Sequence, residues 1–380
     1  MSVDPSVSVA PPAPADPLAG ARQAAAVAAR HAQEADAGRR LHPEVVEALD
    51  TAGFGAWLVP RRWGGVGGSY AGLTSAVATV GEECASAAWI ASLLAYTGRF
   101  GGFLPTQGQA ELWAEGPSTR VVSSLVSRDA VVRAEPGGWN LSGTWNYTSG
   151  IEYSQWAFVA ATVQTGEGTH DRFFLVPRSA YRIEESWFTV GMRATGSHTL
   201  VLEGVSVPEH RSFPLSDLFQ GRRATVDDDR SGLPLFAVNG LTFSAPVIGA
   251  ARGALLHGGR NLAGGQNRRL APSDAQRIAF ARSAGEIDAA GLLLDRIAAG
   301  LDAADERAPQ VVRGSRDASL AVDLSVRAVD QLFRAGGTRA QSEGDPLNRI
   351  WRDVNSAASH FVLQFEPAAL GWAKEELAQH

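Results

Sequence analysis

Gly191-Met192-Arg193-Ala194-Thr195-Gly196-Ser197, running on through His198-Thr199-Leu200-Val201-Leu202-Glu203-Gly204 to Val205-Ser206-Val207-Pro208, decides how the rest of this chain is read. The glycines bracket a turn, the branched residues after it form one β-strand, and Pro208 closes the strand because it supplies no ladder donor. A second Gly-bounded segment, Ser142-Gly143-Thr144-Trp145-Asn146-Tyr147-Thr148-Ser149-Gly150, lies about one small β-domain upstream. In both segments, small hydroxyl residues beside glycine let the backbone approach a planar ligand and offer N–H and O–H donors. Trp145 adds a ring able to pack against another. The plain alternative is ordinary turn chemistry between strands, where Ser, Thr and Gly are expected.

Outward from these turns the period of the pattern changes twice. Residues 1–15 are Pro, Ala, Val and Ser, which predicts a disordered tail. Residues 16–117 read as a helical domain. Leu18–Asp36 is Ala-rich, Pro43–Leu49 opens with proline in a first turn, and Ala71–Ala85 places Leu73, Val77 and Val80 on one face. Residues 118–215 switch to a strand period, with Val121–Val126, Trp156–Val163, Phe173–Pro177 and Thr199–Leu202 between Gly-rich turns. Residues 216–380 return to helices. Ala275–Leu301 carries Phe280, Ala284, Ile287, Leu294, Ala298 and Leu301 as a seam, and Arg316–Ala335 and Pro346–Gln379 follow. Helices, then a small β-domain, then helices make an α+β chain rather than an alternating α/β one.

Composition narrows the function. The 380 residues can bury a large core, and 45% hydrophobic with 19% charged residues is ordinary for a globular protein. The net charge of −6 and the lack of any basic stripe argue against nucleic acid. No apolar run approaches the ~20 residues that span a bilayer, so no membrane partner is expected. The N-terminus lacks a signal-peptide pattern, and Cys84 is the single cysteine; both fit a cytoplasmic protein.

Two further groups can carry chemistry. Arg260, Arg268, Arg269 and Arg339 have the forked geometry that matches phosphate, and Arg339 follows a break at Ala335-Gly336-Gly337-Thr338. Solvation of the surface explains any one of them equally well. His360 lies seven residues beyond Asp353, two turns along the same face of the expected last helix. With an ordinary pKa near 6.5 it is a candidate base. A helix-face His satisfied by water is the alternative.

The whole chain from about Leu18 resembles the acyl-CoA dehydrogenase superfamily, and within it the two-component, group D flavin monooxygenases. The residues that carry the likeness are Ala85-Ser-Ala-Ala-Trp89, Gly138-Trp-Asn-Leu-Ser-Gly-Thr-Trp145, Thr148-Ser-Gly-Ile151, Gly191–Ser197 and Val205-Ser-Val-Pro-Glu-His-Arg211. Gly336-Gly337 and Leu347-Asn-Arg-Ile-Trp-Arg-Asp353 complete the set.

The resemblance implies an N-terminal helical domain, a central β-barrel or sandwich and a C-terminal four-helix bundle. It also implies reduced flavin (FMNH2 or FADH2) from a separate flavin reductase, reaction with O2 to a C4a-hydroperoxide, hydroxylation of a small aromatic substrate, and a homotetramer. By the same resemblance, Ser123, Trp145, Thr148, Ser149, Arg193, Thr195, Gly196, Ser197, Arg260, Arg269 and Arg339 are candidate flavin contacts. His360, Ser149, Tyr96 and Asn146 are candidate catalytic residues, with His360 either deprotonating a phenol or holding the hydroperoxide. No metal is implied.

A dehydrogenase of the superfamily keeps a carboxylate in a Glu-Gly turn about eight residues past the Arg-Asp pair, and this chain has Ser359-His360-Phe361-Val362 there. Thr97 stands where many of the hydroxylases carry His. An acyl-CoA dehydrogenase, an amino-sugar type N-hydroxylase and a scaffold without flavin remain as alternatives. No GxGxxG follows a strand, which fits a chain that takes its flavin already reduced.

Overall fold

The computed structural model describes residues 17–166, 168–223, 232–263, 271–303 and 308–380. The expected tail over 1–15, and Arg268 and Arg269, lie outside the described residues.

Five helices come first: α1 (Pro17–Gly38), α2 (Pro43–Thr51), α3 (Tyr70–Gly81), α4 (Ala85–Gly98) and α5 (Thr106–Leu112). Ala21, Ala24, Ala28, Ala32 and Ala35 line the buried face of α1, so small side chains let it lie close to its neighbours. The pattern read over 71–85 is two helices. It breaks after Gly81, and α4 starts at Ala85, buried along nearly its whole length.

The β-domain holds β1 (Val121–Ser124), β2 (Val131–Glu135), β3 (Gly138–Thr148), β4 (Trp156–Thr165), β5 (Gly168–Pro177), β6 (Arg182–Glu184), β7 (His198–Pro208) and β8 (Ser212–Pro214). They form two four-stranded sheets, β1-β4-β5-β8 and β2-β3-β7-β6. The pair β1–β4 is parallel and the other ladders are antiparallel. The run Phe173-Phe174-Leu175-Val176 is apolar without alternation because its sheet is covered on both faces. Phe174 and Val176 pack toward the second sheet, while Phe173 and Leu175 pack against Phe100 and Leu112 of the helical domain.

The C-terminal part comprises α6 (Leu215–Gln220), α7 (Leu235–Ala263), α8 (Asp274–Asp302), α9 (Ala308–Ala335), α10 (Gly337–Ala340), α11 (Pro346–Ala358) and α12 (Phe365–Leu377). Ser273 and Gln276 form a capping box at the start of α8, and Ile287, Leu294, Ala298 and Leu301 make its buried seam. Pro246 lies inside α7 and has no N–H for the carbonyl of Thr242, one turn earlier. The Ser92 hydroxyl of α4 donates to that carbonyl at 2.6 Å.

The helical pattern read over 346–379 is interrupted. After α11 ends at Ala358, a 3-10 turn (Phe361–Leu363) intervenes before α12. His360 is therefore not on a helix face below Asp353. It is the extended residue that caps the 3-10 turn, with φ −63° and ψ 134°.

Candidate functional site

Two backbone irregularities bring the Gly-bounded turns together. The register of β3 against β7 slips between Trp145 and Thr148, where Tyr147 takes φ +61°. This bulge turns Thr148-Ser149-Gly150 out of the sheet, with Gly150 at φ +73°. Met192 and Gly196 also lie in the left-handed region, at φ +53° and +52°. The Gly150 N–H donates to the Thr195 carbonyl at 2.8 Å, so the two turns share a hydrogen bond.

Their hydroxyls form a line. Thr195 Oγ1 donates to the Met192 carbonyl at 2.9 Å, and Trp187 Nε1 donates to the same carbonyl at 2.9 Å. Thr195 Oγ1 and Ser197 Oγ are 2.7 Å apart, as are Ser197 Oγ and Ser149 Oγ. Trp89 Nε1 of α4 reaches Ser149 Oγ at 3.3 Å. Each hydroxyl holds one hydrogen. Because Thr195 donates to Met192, Ser197 donates to Thr195 and Ser149 donates to Ser197. The Ser149 oxygen then accepts from Trp89 and keeps acceptor capacity for one further N–H or O–H.

His360 adjoins this line through Trp89. Its ring is edge-on to Trp89 at 5.8 Å, stacked on Phe243 at 4.0 Å and on Phe361 at 4.8 Å. Burial among these rings pushes its pKa down from 6.5 to about 4, and no charged group among the described residues offsets that. Its Nδ1 accepts from the Val362 N–H at 3.3 Å, which leaves the proton of the neutral ring on Nε2. With its pKa lowered and Nδ1 engaged by the Val362 N–H, the ring is uncharged at neutral pH and carries its proton on Nε2.

The other sequence candidates separate. Trp145 does not present its ring to a ligand; it is fully buried between the two sheets, and its Nε1 donates to the Ala160 carbonyl at 2.7 Å. Thr148 is fully buried and donates to the Trp145 carbonyl at 3.3 Å. Asn146 accepts from Thr199 Oγ1 at 3.0 Å, and its own carbonyl accepts from Ser124 at 3.0 Å. Ser123 sits in β1, paired with Phe158 of β4. Arg193 approaches Asp36 of α1 at 3.8 Å. Tyr96, two turns beyond Trp89 on α4, packs near Tyr70 of α3 instead of joining His360, and Thr97 beside it is buried. Arg260 is exposed near the end of α7; Arg339 is exposed on α10, 3.6 Å from Asp345. Trp89 and Phe243 were not among the sequence candidates. Trp89 stands in the quoted Ala-Ala-Trp motif, whereas Phe243 carries no signal beyond a helical apolar face.

The profile of the family described as "Acyl-CoA dehydrogenase, C-terminal domain" matches residues 241–365. The flavin-dependent monooxygenase oxygenase subunit HsaA of Mycobacterium tuberculosis is 34% identical over 354 residues, covering 89% of each chain. The oxygenase component of the FADH2-dependent resorcinol hydroxylase of a Rhizobium species is 31% identical, over 88% of this chain and 87% of that one. The crystal structure of XiaF from a Streptomyces species, in complex with FADH2 and glycerol, superposes with a TM-score of 0.88 at 26% identity, covering 96% of this chain and 95% of the other. Likeness along nearly the full length, carried by the fold and both flanking domains, identifies this chain as a member of the flavin-dependent monooxygenases, an oxygenase subunit on the acyl-CoA dehydrogenase fold.

Proposed function

We propose that this subunit hydroxylates an uncharged aromatic substrate, with reduced flavin delivered by a separate reductase and O2 as co-substrate. The observation that carries the reading is the hydroxyl line that ends on Ser149. It leaves the Ser149 oxygen as an acceptor. The ring of a reduced flavin carries an N–H where the oxidised ring presents a bare nitrogen, so an acceptor at Ser149 favours the reduced form. The Thr195-Gly196-Ser197 turn flanks the same place. A reduced flavin held there would supply the chemistry of oxygen transfer; the chain's part is to seat the ring, exclude water and hold a proton donor.

His360 takes the donor role. Its ring packs against Trp89 and Phe243, and beside such apolar rings a hydrogen bond from Nε2–H to oxygen is stronger than in water. The apolar setting of His360, whose pKa is lowered by burial, suits a neutral ring such as a phenol or a resorcinol. Assembly as a homotetramer is part of the proposal. Leu256, Ile278, Phe361, Leu370 and Leu377 of the C-terminal part are each about half exposed or more, apolar side chains that self-association would cover.

The test is anaerobic mixing with reduced FAD and then reduced FMN, followed by an oxygen pulse with and without phenolic substrates. The expected result is tight binding of a reduced flavin, weak binding of the oxidised one, and product carrying one atom from labelled O2. Turnover of an acyl-CoA ester, or failure to bind either reduced flavin, overturns the reading.

A further inference from the structure

The helix α11 holds the turn that carries the hydroxyl line at three consecutive backbone positions. Arg352 Nη1 donates to the Val190 carbonyl at 2.8 Å. Gly191 lies so close that a Cβ there would stand 2.1 Å from the Arg352 carbonyl oxygen. The Met192 N–H donates to Asp353 Oδ1 at 2.6 Å. Arg352 is itself fixed by Asp36 of α1 through contacts of 2.6 and 3.1 Å.

Met192 has the left-handed backbone that non-glycine residues adopt only when their surroundings impose it. Its carbonyl ends the hydroxyl line, and the line leads through Ser197, Ser149 and Trp89 to His360. His360 follows α11 directly. The contacts thus close a loop that begins and ends on one helix. Asp353 is 3% exposed, and beside it the space bounded by Ala85, Met192, Pro246, Val247, Ala250, Val354 and Ala357 has no room for a water molecule.

We propose that the ionised carboxylate of Asp353 is a positioning residue: it holds the Met192 turn so that Ser149 meets reduced flavin in register with His360. This rests on the flavin reading above. A buried carboxylate is a costly way to cap one N–H if packing alone were at stake. Burial raises the Asp353 pKa from 3.8 to about 6, against the opposing pull of Arg349 and Arg352 on its own helix and the Met192 N–H of the turn. Asp36 of α1 pushes it further up, Cys84 before α4 lies within its field, and α7 contributes only Pro246, Val247 and Ala250.

The sign follows from the raised value. The folded protein binds the proton more readily than the unfolded chain, so ionised Asp353 lowers stability above about pH 6. Replacing it by Asn keeps the shape, removes the charge and weakens the bond to Met192.

The experiment compares wild type with Asp353→Asn in three readouts. At pH 7.5 the variant should melt no lower than wild type, yet bind reduced flavin about tenfold more weakly. Wild-type affinity should fall as pH drops through about 6 and meet that of the variant near pH 5, while the variant stays flat across the range. In the flavin-free protein, amide exchange over residues 190–197 should be faster in the variant at pH 7.5. Equal affinities at pH 7.5, parallel pH profiles or equal exchange overturn the proposal. A wild type that binds no reduced flavin overturns the flavin reading instead, and the exchange comparison then decides the grip of Asp353 on the turn by itself.

Discussion

At the scale of single residues, the proposed function gives Ser149 and His360 separate roles. Ser149→Ala removes the acceptor proposed to meet the flavin. It should weaken reduced-flavin binding by roughly 1 kcal/mol, about fivefold, and leave oxidised-flavin binding unchanged. Titrations with both redox states measure this, and equal losses for the two would show that Ser149 does not read the redox state. For His360, loss of one preorganised donor typically costs about 10²–10³ in rate. His360→Ala should bind flavin normally, lose product at that scale and release H2O2, measured together in one assay. The same variant has a signature in stability. The His360 pKa is lowered from 6.5 to about 4, so the unfolded chain takes the proton first. Its contribution is present above pH 6.5 and is lost as pH falls toward 4, up to ~3 kcal/mol at 1.36 kcal/mol per unit. Denaturant unfolding at pH 7 and pH 4 should show wild type losing more than His360→Ala. Equal losses would mean that the ring titrates freely.

At the scale of elements, the join between α4 and α7 places Phe243 against His360. Pro246 frees the Thr242 carbonyl, Ser92 takes it up, and Phe243 next to it faces His360. Ser92→Ala leaves a buried carbonyl without that partner and should cost about 1–3 kcal/mol. Pro246→Ala restores an N–H one turn along, so the Ser92→Ala penalty should shrink in the Pro246→Ala background. A double-mutant cycle by chemical denaturation reads the coupling, and strict additivity would sink the assignment. The neighbouring approach of α3 to α7 explains why glycines sit inside a helix. A Cβ on Gly249 would stand 2.3 Å from the Ala78 carbonyl oxygen, and one on Gly253 2.1 Å from that of Glu82.

At the scale of the whole molecule, the exposed apolar side chains of the C-terminal part bear on assembly. Leu370 and Leu377 on α12 and Phe361 before it are more than 70% exposed, beside a well-packed helical core. The expected sedimentation mass is that of four 40.0 kDa chains at micromolar concentration. A mass of one chain would remove the tetramer. Placing Asp or Lys at both Leu370 and Leu377 should lower the mass with little change in the helical signal of the isolated chain.

The division between sequence and tertiary structure follows the range of the forces involved. Local pattern was enough for the three-part α+β order, for the seam of α8 and for the Gly-bounded turns, because period, turn chemistry and caps act within a few residues. The two turns could be paired on paper only through resemblance; the bulge at Tyr147 and the Gly150–Thr195 hydrogen bond make them neighbours. Trp145 reads as a possible ligand platform because a Trp beside Ser and Gly looks alike whichever way it points, and the sheet pairing turns it inward. Phe243, the contact of Asp353 with Met192 and the break before His360 belong to tertiary structure alone. Each depends on contacts between segments far apart in the chain: α11 against the 191–197 turn, and α4 against α7. The protonation of His360 does too, since the sequence supplies an imidazole of ordinary pKa, and only its three aromatic neighbours and the Val362 N–H make it a neutral donor.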